Sequence, residues 1–418
     1  MIKYLSIAVL LVSIAGATSK PSLYPNMIED TFSLYALDAQ MHQKHRQASG
    51  FFSELYKRTS KKEYLYQSLR MLEQAGDIKA LSTLTAEALS KSPEDETLKR
   101  FEIISLLKAG NFGEASQKAL LLSEKSKAPS DYLLYAEARL KLADYPGGVA
   151  ALKKAYALNY DESTAERIAL IQYAQLGKKT EAITFLKDHI GAHGNSKIVG
   201  KRLATLYADS GELDNAAAIY EQTYDIDADP LIAEEAIKIY AFQRNLSKME
   251  MLLEKSHIND PLLLDIYVRT KTFGKASALA QALYEKEDNP LYLAQSSVYT
   301  YEGASNRSDP VMIAKVVKGL KKANAEFEDP LYLNYLGYLM IEHDLNVTEG
   351  MEYVRRALDK QPDSPFYIDS LAWGHYKLGE CDEAKKLIKQ VESMIGTEEE
   401  EVKEHIKAIE ACKTKEKQ

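Results

Sequence analysis

The apolar and polar positions of this chain recur in one short pattern, set within helix-forming sequence. The pattern is Leu or Ala, then Gly, one variable residue, an aromatic or apolar residue, two further residues and Ala. Its glycine position is occupied in turn by Gly76, Gly110, Ala143, Gly177 and Gly211, at steps of 34, 33, 34 and 34 residues. A fixed period in this range predicts stacked helical hairpins, each made of two helices.

The same pattern returns near the end of the chain. The fragment KLGECDEA places Gly379 at 168 residues past Gly211, close to five further periods. A small residue also follows each break, where two helices would have to approach closely: Ala115, Gly148, Ala182, Ala216 and Ala384. This combination resembles the tetratricopeptide repeat (TPR) family, in which the glycine ends the first helix and the small residue lies in the second.

Two further features of the TPR family are present as a later alanine and a helix-ending proline. They are Ala88 with Pro93, and Ala357 with Pro362. The resemblance covers most of the chain and implies an all-α fold, an α-solenoid of about ten hairpins between Asn26 and Met394. It further implies one right-handed superhelix with a concave face, in which each hairpin is stabilised mainly by its neighbours.

Between residues 229 and 330 the pattern is looser. Helix starts are marked there by an Asp or Asn N-cap before proline, at Asp229, Asp260, Asn289 and Asp329. Their spacings of 31, 29 and 40 residues predict shortened and extended hairpins. The fragment YTYEGASNRSDP predicts a longer loop between two helices.

These signals divide the chain into six segments. We predict a signal peptide, an N-terminal capping hairpin, a regular TPR array, divergent hairpins, a C-terminal TPR pair and a capping helix with a charged tail. Their ranges are 1–17, 18–61, 62–228, 229–330, 331–396 and 397–418.

The N-terminus predicts export. Lys3 precedes an apolar run that is too short to span a bilayer, and Ala15-Gly16-Ala17 fits a signal-peptidase site. The alternative is an uncleaved N-terminal anchor. The formal net charge of −8 is spread along the chain with interleaved lysines, which argues against a nucleic-acid partner. We therefore expect a periplasmic protein.

The two cysteines are predicted to pair. Cys381 and Cys412 lie at nearly equal distances from a turn near Gly396, with Thr397 as the N-cap of a closing helix from Glu398. Two thiols placed side by side in an oxidising compartment are expected to form a disulfide. The alternative is a pair of free, partly buried cysteines.

Motifs for catalysis are not found in the sequence. It contains no G-x-S-x-G, P-loop, H-E-x-x-H or glycine-rich dinucleotide turn. The histidine pairs His42/His45 and His189/His193 lack a third metal ligand nearby in sequence, and His375 occupies a packing position. We expect no enzymatic activity, no cofactor and no metal.

One short motif predicts a modification. The fragment DLNVT resembles the acid-extended acceptor sequence of some bacterial oligosaccharyltransferases, and it makes Asn346 a candidate glycosylation site. Asn245 and Asn306 lack the preceding acid.

Partner binding is predicted on the first helices of the last two repeats. The TPR resemblance places inward-facing positions at Tyr338, Ile341, Phe366, Asp369, Trp373 and Tyr376, a set rich in the aromatic residues common at interfaces. Alternatively, the closing helix and loop 301–310 pack over these rings. Earlier repeats would add Arg100, Ile104, Lys108, Leu133, Glu137, Lys141, Arg167 and Ile171.

These inferences predict a scaffold that holds other cell-envelope proteins, such as components of a flagellar motor, a secretion or pilus system, or outer-membrane assembly. The alternative is a peptidoglycan- or glycan-associated protein that stacks sugars on Trp373, Tyr376 and Tyr338. Fold resemblance does not choose between them.

Overall fold

The computed structural model describes residues 27–395 and 400–413, and within these ranges every regular element is an α-helix. The described residues form two compact units, an N-terminal unit of residues 27–212 and a C-terminal unit of residues 213–395 and 400–413. The predicted signal peptide (1–17) and the predicted N-cap Thr397 lie outside the described residues. None of the described helices is long and apolar enough to cross a membrane.

The N-terminal unit contains eleven helices: α1 (Met27–Met41), α2 (His45–Thr59), α3 (Lys62–Gln74), α4 (Ile78–Lys91), α5 (Glu96–Lys108), α6 (Phe112–Ser126), α7 (Pro129–Lys141), α8 (Tyr145–Asn159), α9 (Glu162–Ala174), α10 (Lys179–His193) and α11 (Lys197–Ala208). The C-terminal unit contains α12 (Leu213–Asp227), α13 (Pro230–Phe242), α14 (Leu246–Ser256), α15 (Asp260–Arg269), α16 (Phe273–Glu287), α17 (Pro290–Glu302), α18 (Pro310–Glu326), α19 (Pro330–Glu342), α20 (Val347–Lys360), α21 (Pro365–Lys377), α22 (Cys381–Ile395) and α23 (Glu400–Glu410).

Within each unit a helix contacts chiefly the helices next to it in sequence, as stacked hairpins require. Alternate helices also touch, including α5 with α7 and α19 with α21. The α-solenoid organisation predicted from the period is confirmed. Twenty-two helices precede the closing helix α23 within the described residues, where the sequence predicts about ten hairpins.

The repeating glycine position has a conformational reason. Each of these residues follows a first helix with a positive φ, which glycine adopts without the steric cost that a Cβ adds. The φ values are +66° at Gly76, +82° at Gly110, +63° at Gly177, +74° at Gly211 and +76° at Gly379. Ala143 holds the same position at φ +57° and bears that cost.

The small residue after each break permits close helix packing. Ala115, Ala182, Ala216 and Ala384 are all completely buried. A Cβ added to Gly148 would lie 2.4 Å from Leu140 Cδ2, which is closer than carbon atoms approach. Larger side chains here would separate the two helices of a hairpin.

The proline-marked helix starts are largely as predicted. At three of the four starts the side-chain oxygen of the cap accepts a hydrogen bond from the backbone N–H two residues later. The distances are 3.0 Å at Asp229, 3.0 Å at Asn289 and 2.9 Å at Asp329. The helix predicted to be capped by Asp260 is instead capped by Asn259, which accepts from Leu262 N at 3.0 Å. Asp260 is the first helical residue, and its Oδ1 instead lies 3.0 Å from His257 Nδ1.

Loop 303–309 separates α17 from α18, as YTYEGASNRSDP predicts. It ends at a further cap, where the Asp309 carboxylate accepts from Val311 N at 3.0 Å. This loop carries Arg307 and Ser308 to the candidate site described below.

Ion pairs connect successive first helices in the N-terminal unit. Arg100 donates two hydrogen bonds to the completely buried carboxylate of Asp131, from Nε at 2.6 Å and from Nη2 at 2.8 Å. Arg167 pairs with Glu137, and Arg202 Nε donates to Glu166 at 3.0 Å. Three residues predicted to face a partner, Arg100, Glu137 and Arg167, therefore already bind neighbouring hairpins.

The predicted disulfide is present. Cys381 at the start of α22 is bonded to Cys412 just beyond α23, with their Cα atoms 5.6 Å apart. Lys385 Nζ also donates to the Cys412 carbonyl at 2.8 Å. The apolar face of α23 packs with α21 and α22 in one cluster that contains Ile368, Ala372, Ala384, Ile388, Val391, Val402, Ile406 and Ile409.

Candidate partner-binding site in the C-terminal unit

The first helices of the last two repeats share one register, which brings equivalent residues together. Pro330 begins α19 and Pro365 begins α21, so Asn334 and Asp369 both lie four residues after a proline. Both side chains line a cavity of about 500 Å³. Loop 303–309 and α23 complete its walls.

The aromatic lining comes from three helices. Tyr301 of α17, Tyr335 and Tyr338 of α19 and Phe366 of α21 all border the cavity. Phe366 is 54% exposed, so it is an apolar side chain that solvent or a partner can reach. The other three rings are buried or half-buried and form the wall.

The closing helix covers part of this face. Tyr338 donates a hydrogen bond from its hydroxyl to Glu401, and its ring lies 6.2 Å from the His405 ring. Burial raises the pKa of the Tyr338 hydroxyl, and its bond to the Glu401 carboxylate raises it further. The His405 Nδ1–H donates to Asp369 Oδ2 at 2.9 Å. The sequence left open the alternative that the closing helix packs over these rings. In the structure α23 does cover part of them.

Trp373 lies under this closing helix. Its ring stacks on His405 at a centroid distance of 4.1 Å and on Tyr376 at 4.7 Å. Its Nε1–H donates to Glu342 Oε2 at 2.7 Å. Trp373 and Tyr376 are half-buried and join the cluster beneath α23.

The six predicted partner-binding residues thus differ in accessibility. Ile341 is completely buried and packs with Met351 and Val354 in the core. Asp369 is 6% exposed but borders the cavity, as do Tyr338 and Phe366. The structure brings the set together around α19 and α21, although Phe366 alone is broadly exposed.

Two oxygen atoms at this site have no hydrogen-bond partner. They are Asp369 Oδ1 and Asn334 Oδ1, and both are shielded from solvent. A buried acceptor without a donor costs free energy, so such atoms mark places where a donor from a ligand would be accommodated.

The charges around the cavity are predominantly negative. Glu302, Glu342, Asp369 and Glu401 supply four carboxylates, and Arg307 supplies one guanidinium. Arg307 Nη2 donates to Glu302 Oε2 at 2.5 Å, while Tyr335 donates to Glu302 Oε1 at 2.6 Å. The sequence-based prediction missed Arg307 and Glu401 because they come from a loop and a closing helix outside the repeat pattern, and it missed Glu302, the last residue of α17, because it considered only the last two repeats.

His189, one of the histidines considered as metal ligands, has another partner. His189 is buried, and its Nδ1 lies 2.7 Å from the Tyr156 hydroxyl. Burial, with His193 nearby, lowers the pKa of His189. No group of three or more potential ligands that could hold a metal ion occurs among the described residues.

Asn346 is exposed at the start of α20. Its Oδ1 accepts from Glu349 N at 3.2 Å, and its Nδ2 donates to Glu349 Oε2 at 3.2 Å. The candidate acceptor amide therefore also serves as a helix cap. Glycosylation of Asn346 stays a prediction.

A comparison of the amino-acid sequence with known proteins finds a match to a TPR protein. No family model matches. The chain is 30% identical over 88 residues to the TPR repeat-containing protein PA4667 of Pseudomonas aeruginosa, which is 21% of this chain and 14% of that protein. The match therefore spans only a small part of the relative's length.

The solved structures that resemble this chain do so with low sequence identity and low TM-scores. The APC/C hetero-tetramer Cut9–Hcn1 gives a TM-score of 0.42 at 10% identity, over 91% of this chain and 96% of that chain. Yeast Tom70 gives 0.33 at 13% identity, over 91% and 95%. TTC0263, a TPR protein of Thermus thermophilus, gives 0.31 at 21% identity, over 43% and 100%. The resemblance to the tetratricopeptide repeat family, predicted from the 34-residue period, is confirmed by the sequence relative and by the paired helices themselves.

Proposed function

We propose that this protein is a non-catalytic scaffold that holds a partner protein at the cavity between α19, α21 and α23. The observation that carries the proposal is the combination of an exposed aromatic residue, Phe366, with unpartnered buried acceptors in the adjoining cavity. Aromatic anchors beside a desolvated pocket are typical of interface hot spots. Preformed helices also bind at little ordering cost.

We further propose that the partner belongs to the cell envelope and that binding takes place in the periplasm. The predicted signal sequence supports this location, and so does the disulfide between Cys381 and Cys412, because disulfides persist in oxidising compartments.

The glycan-binding alternative depends on a free face of the tryptophan ring. Trp373 already stacks on Tyr376 and His405, and Lys377 Nζ lies 5.6 Å from its centroid. Sugar stacking at this residue would require these contacts to open. No observation favours that function over protein binding.

The test is photo-crosslinking in living cells with p-benzoylphenylalanine in place of Phe366. The matched control is the same replacement at Phe242, which is 79% exposed at the end of α13 and does not line the cavity. A dominant protein crosslink from position 366 that is missing at position 242 would support the scaffold. The same products from both positions, or none from position 366, would contradict it.

A further inference from the structure

We infer that the cavity between α19, α21 and α23 receives a basic side chain, preferentially arginine, from the partner protein. This inference rests on the proposed function and specifies the chemistry of the segment that is bound. It excludes recognition of a carboxylate at the same place.

The first argument is the unpartnered carboxylate oxygen of Asp369. The side chain is more than nine-tenths buried, and only Oδ2 has a donor, His405 Nδ1 at 2.9 Å. Oδ1 is shielded from solvent and has no partner, and the residue is part of the cavity lining. Removing a carboxylate oxygen from water without a donor is costly, and a cationic donor compensates most strongly.

The second argument is the presence of another acceptor in the same cavity. Asn334 Oδ1 is also buried and unpartnered. A guanidinium group carries five N–H donors in a planar fork and accepts none, which suits a place where two acceptors lack donors. An ammonium group would fit less well, because it is a compact, strongly hydrated point charge.

The third argument is charge. Four carboxylates border the cavity, and the one guanidinium there, Arg307, is held by Glu302. The field inside the cavity therefore attracts a cation and repels an anionic group. A small metal ion is not favoured, because no cluster of three or more potential ligands occurs in the part of the chain that the structure describes.

The fourth argument is the aromatic wall. An arginine side chain has an apolar stem and a planar charged end, and both bind well to aromatic surfaces. Tyr338 and Phe366 supply such surfaces, with Phe366 at the exposed side, whereas the Tyr301 ring already has Arg307 over it. The volume of about 500 Å³ lies within the range of roughly 300–1,000 Å³ typical of ligand pockets.

The chain offers a reporter specific to this site. Trp373 is its single tryptophan, and the indole Nε1–H donates to Glu342, whose side chain borders the cavity. Full-length protein containing 5-fluorotryptophan would therefore give one ¹⁹F resonance next to the site. The probes are N-acetyl-arginine amide, its lysine counterpart and its uncharged citrulline isostere.

We expect a saturable shift of this resonance with the arginine probe, a weaker response to lysine and little response to citrulline. Asp369→Asn should weaken the arginine response about tenfold or more, because one charge-assisted hydrogen bond is lost. Glu401→Gln should weaken it less. The matched control is Glu404→Gln, on the exposed side of the same helix and outside the cavity lining, which should leave the response unchanged.

Equal responses to arginine and citrulline, or no saturable shift with any probe, would overturn the inference. So would an unchanged arginine response in both Asp369→Asn and Glu401→Gln, provided that circular dichroism shows both variants to be folded. A dominant crosslink from position 366 combined with any of these results would leave the scaffold function standing. An arginine-specific shift without a crosslink would contradict the scaffold and leave a site for a small cationic ligand.

Discussion

At the residue scale, the repeat owes its regularity to backbone conformation at a single position. Five glycines with positive φ end first helices, and the same position at other first helices is held at φ between +51° and +57° by Gln43, Ala143, Arg244, Lys271 and Asp344. Because a Cβ destabilises the left-handed conformation, the glycine spacing is a physical signal for where a helix must stop. Ala143, which interrupts the glycines of the regular 34-residue series, provides a direct test.

We expect Ala143→Gly to stabilise the protein by up to about 1 kcal/mol, since it removes the Cβ cost at positive φ. The matched control is Ala109→Gly, which is equally exposed but lies at φ −79°. There glycine should destabilise by about 0.5–1 kcal/mol through its greater backbone freedom when unfolded. Thermal unfolding followed by calorimetry measures the stability of both variants. A loss of stability in Ala143→Gly would contradict a Cβ cost at this position.

The Arg100–Asp131 pair allows a second prediction, in which pH matters. Burial raises the pKa of the Asp131 carboxyl, but its hydrogen bonds with Arg100 and Ser126 more than offset this and hold the pKa below its ordinary value. A lowered folded-state pKa gives stability that is present above the ordinary carboxyl pKa of about 4 and is lost as pH falls through the folded-state pKa.

Arg100→Gln should therefore destabilise by about 3 kcal/mol at pH 7, because it leaves the Asp131 carboxylate buried without its cation. The loss should shrink towards pH 4, where an unpaired buried carboxyl becomes protonated. Urea unfolding at pH 7 and pH 4 measures the loss of unfolding free energy.

The control is Arg58→Gln, which breaks an exposed pair with Glu54 and should cost less than about 1 kcal/mol. Equal losses for Arg100→Gln at both pH values would refute the linkage.

At the element scale, α23 has two attachments, an apolar face and a disulfide. Val402, Ile406 and Ile409 pack against α21 and α22, while Cys381–Cys412 joins the far end of α23 to the start of α22. The helix thereby brings Glu401 and His405 to the cavity. The geometry of the candidate site thus depends on a helix outside the repeat pattern.

We expect the double variant Cys381→Ser/Cys412→Ser to be less stable by about 3–4 kcal/mol, the chain-entropy value for a loop of this length. Amide hydrogen exchange in α23 should rise in the same variant. Wild-type protein treated with dithiothreitol should behave like the variant, and dithiothreitol should not change the variant further. Thiol counting by mass spectrometry gives an independent check, since two free thiols in native protein would exclude the bond.

At the scale of the whole molecule, neighbouring hairpins supply most of the contacts. In such an array the free energy of unfolding is roughly the sum of each repeat's own stability and the energies of the contacts between neighbours. A substitution therefore destabilises mainly its own repeat and the adjacent ones. The ion pairs from α5 to α7, from α7 to α9 and from α9 to α11 are interactions of this kind.

We therefore expect Arg100→Gln to increase hydrogen exchange mainly in α4 to α8, with little change in α19 to α23. Exchange of the full-length protein followed by mass spectrometry measures this. Asp369→Asn is the converse control, with changes expected around α19 to α23 only. Uniform changes along the chain in either variant would mean that the protein opens in one cooperative step.

Local chemistry is strong enough for sequence alone to predict the helices, the hairpin period and the disulfide. Glycine at positive φ, Asp or Asn before proline, and small residues at close helix contacts each act within one or two turns, so their order along the chain is sufficient. The register also placed Tyr338, Phe366 and Asp369 on one face. These features follow from spacing.

The accessibility of that face depends on contacts distant in sequence. Glu401 lies 63 residues from Tyr338, and His405 lies 36 residues from Asp369. No periodicity relates these positions, because α23 and loop 303–309 are additions to the repeat. Ile341 likewise shares the predicted inward register but packs against Met351 and Val354 of α20. Repeat spacing specifies which way a residue points, whereas burial and unpaired acceptors arise only when distant helices pack around it.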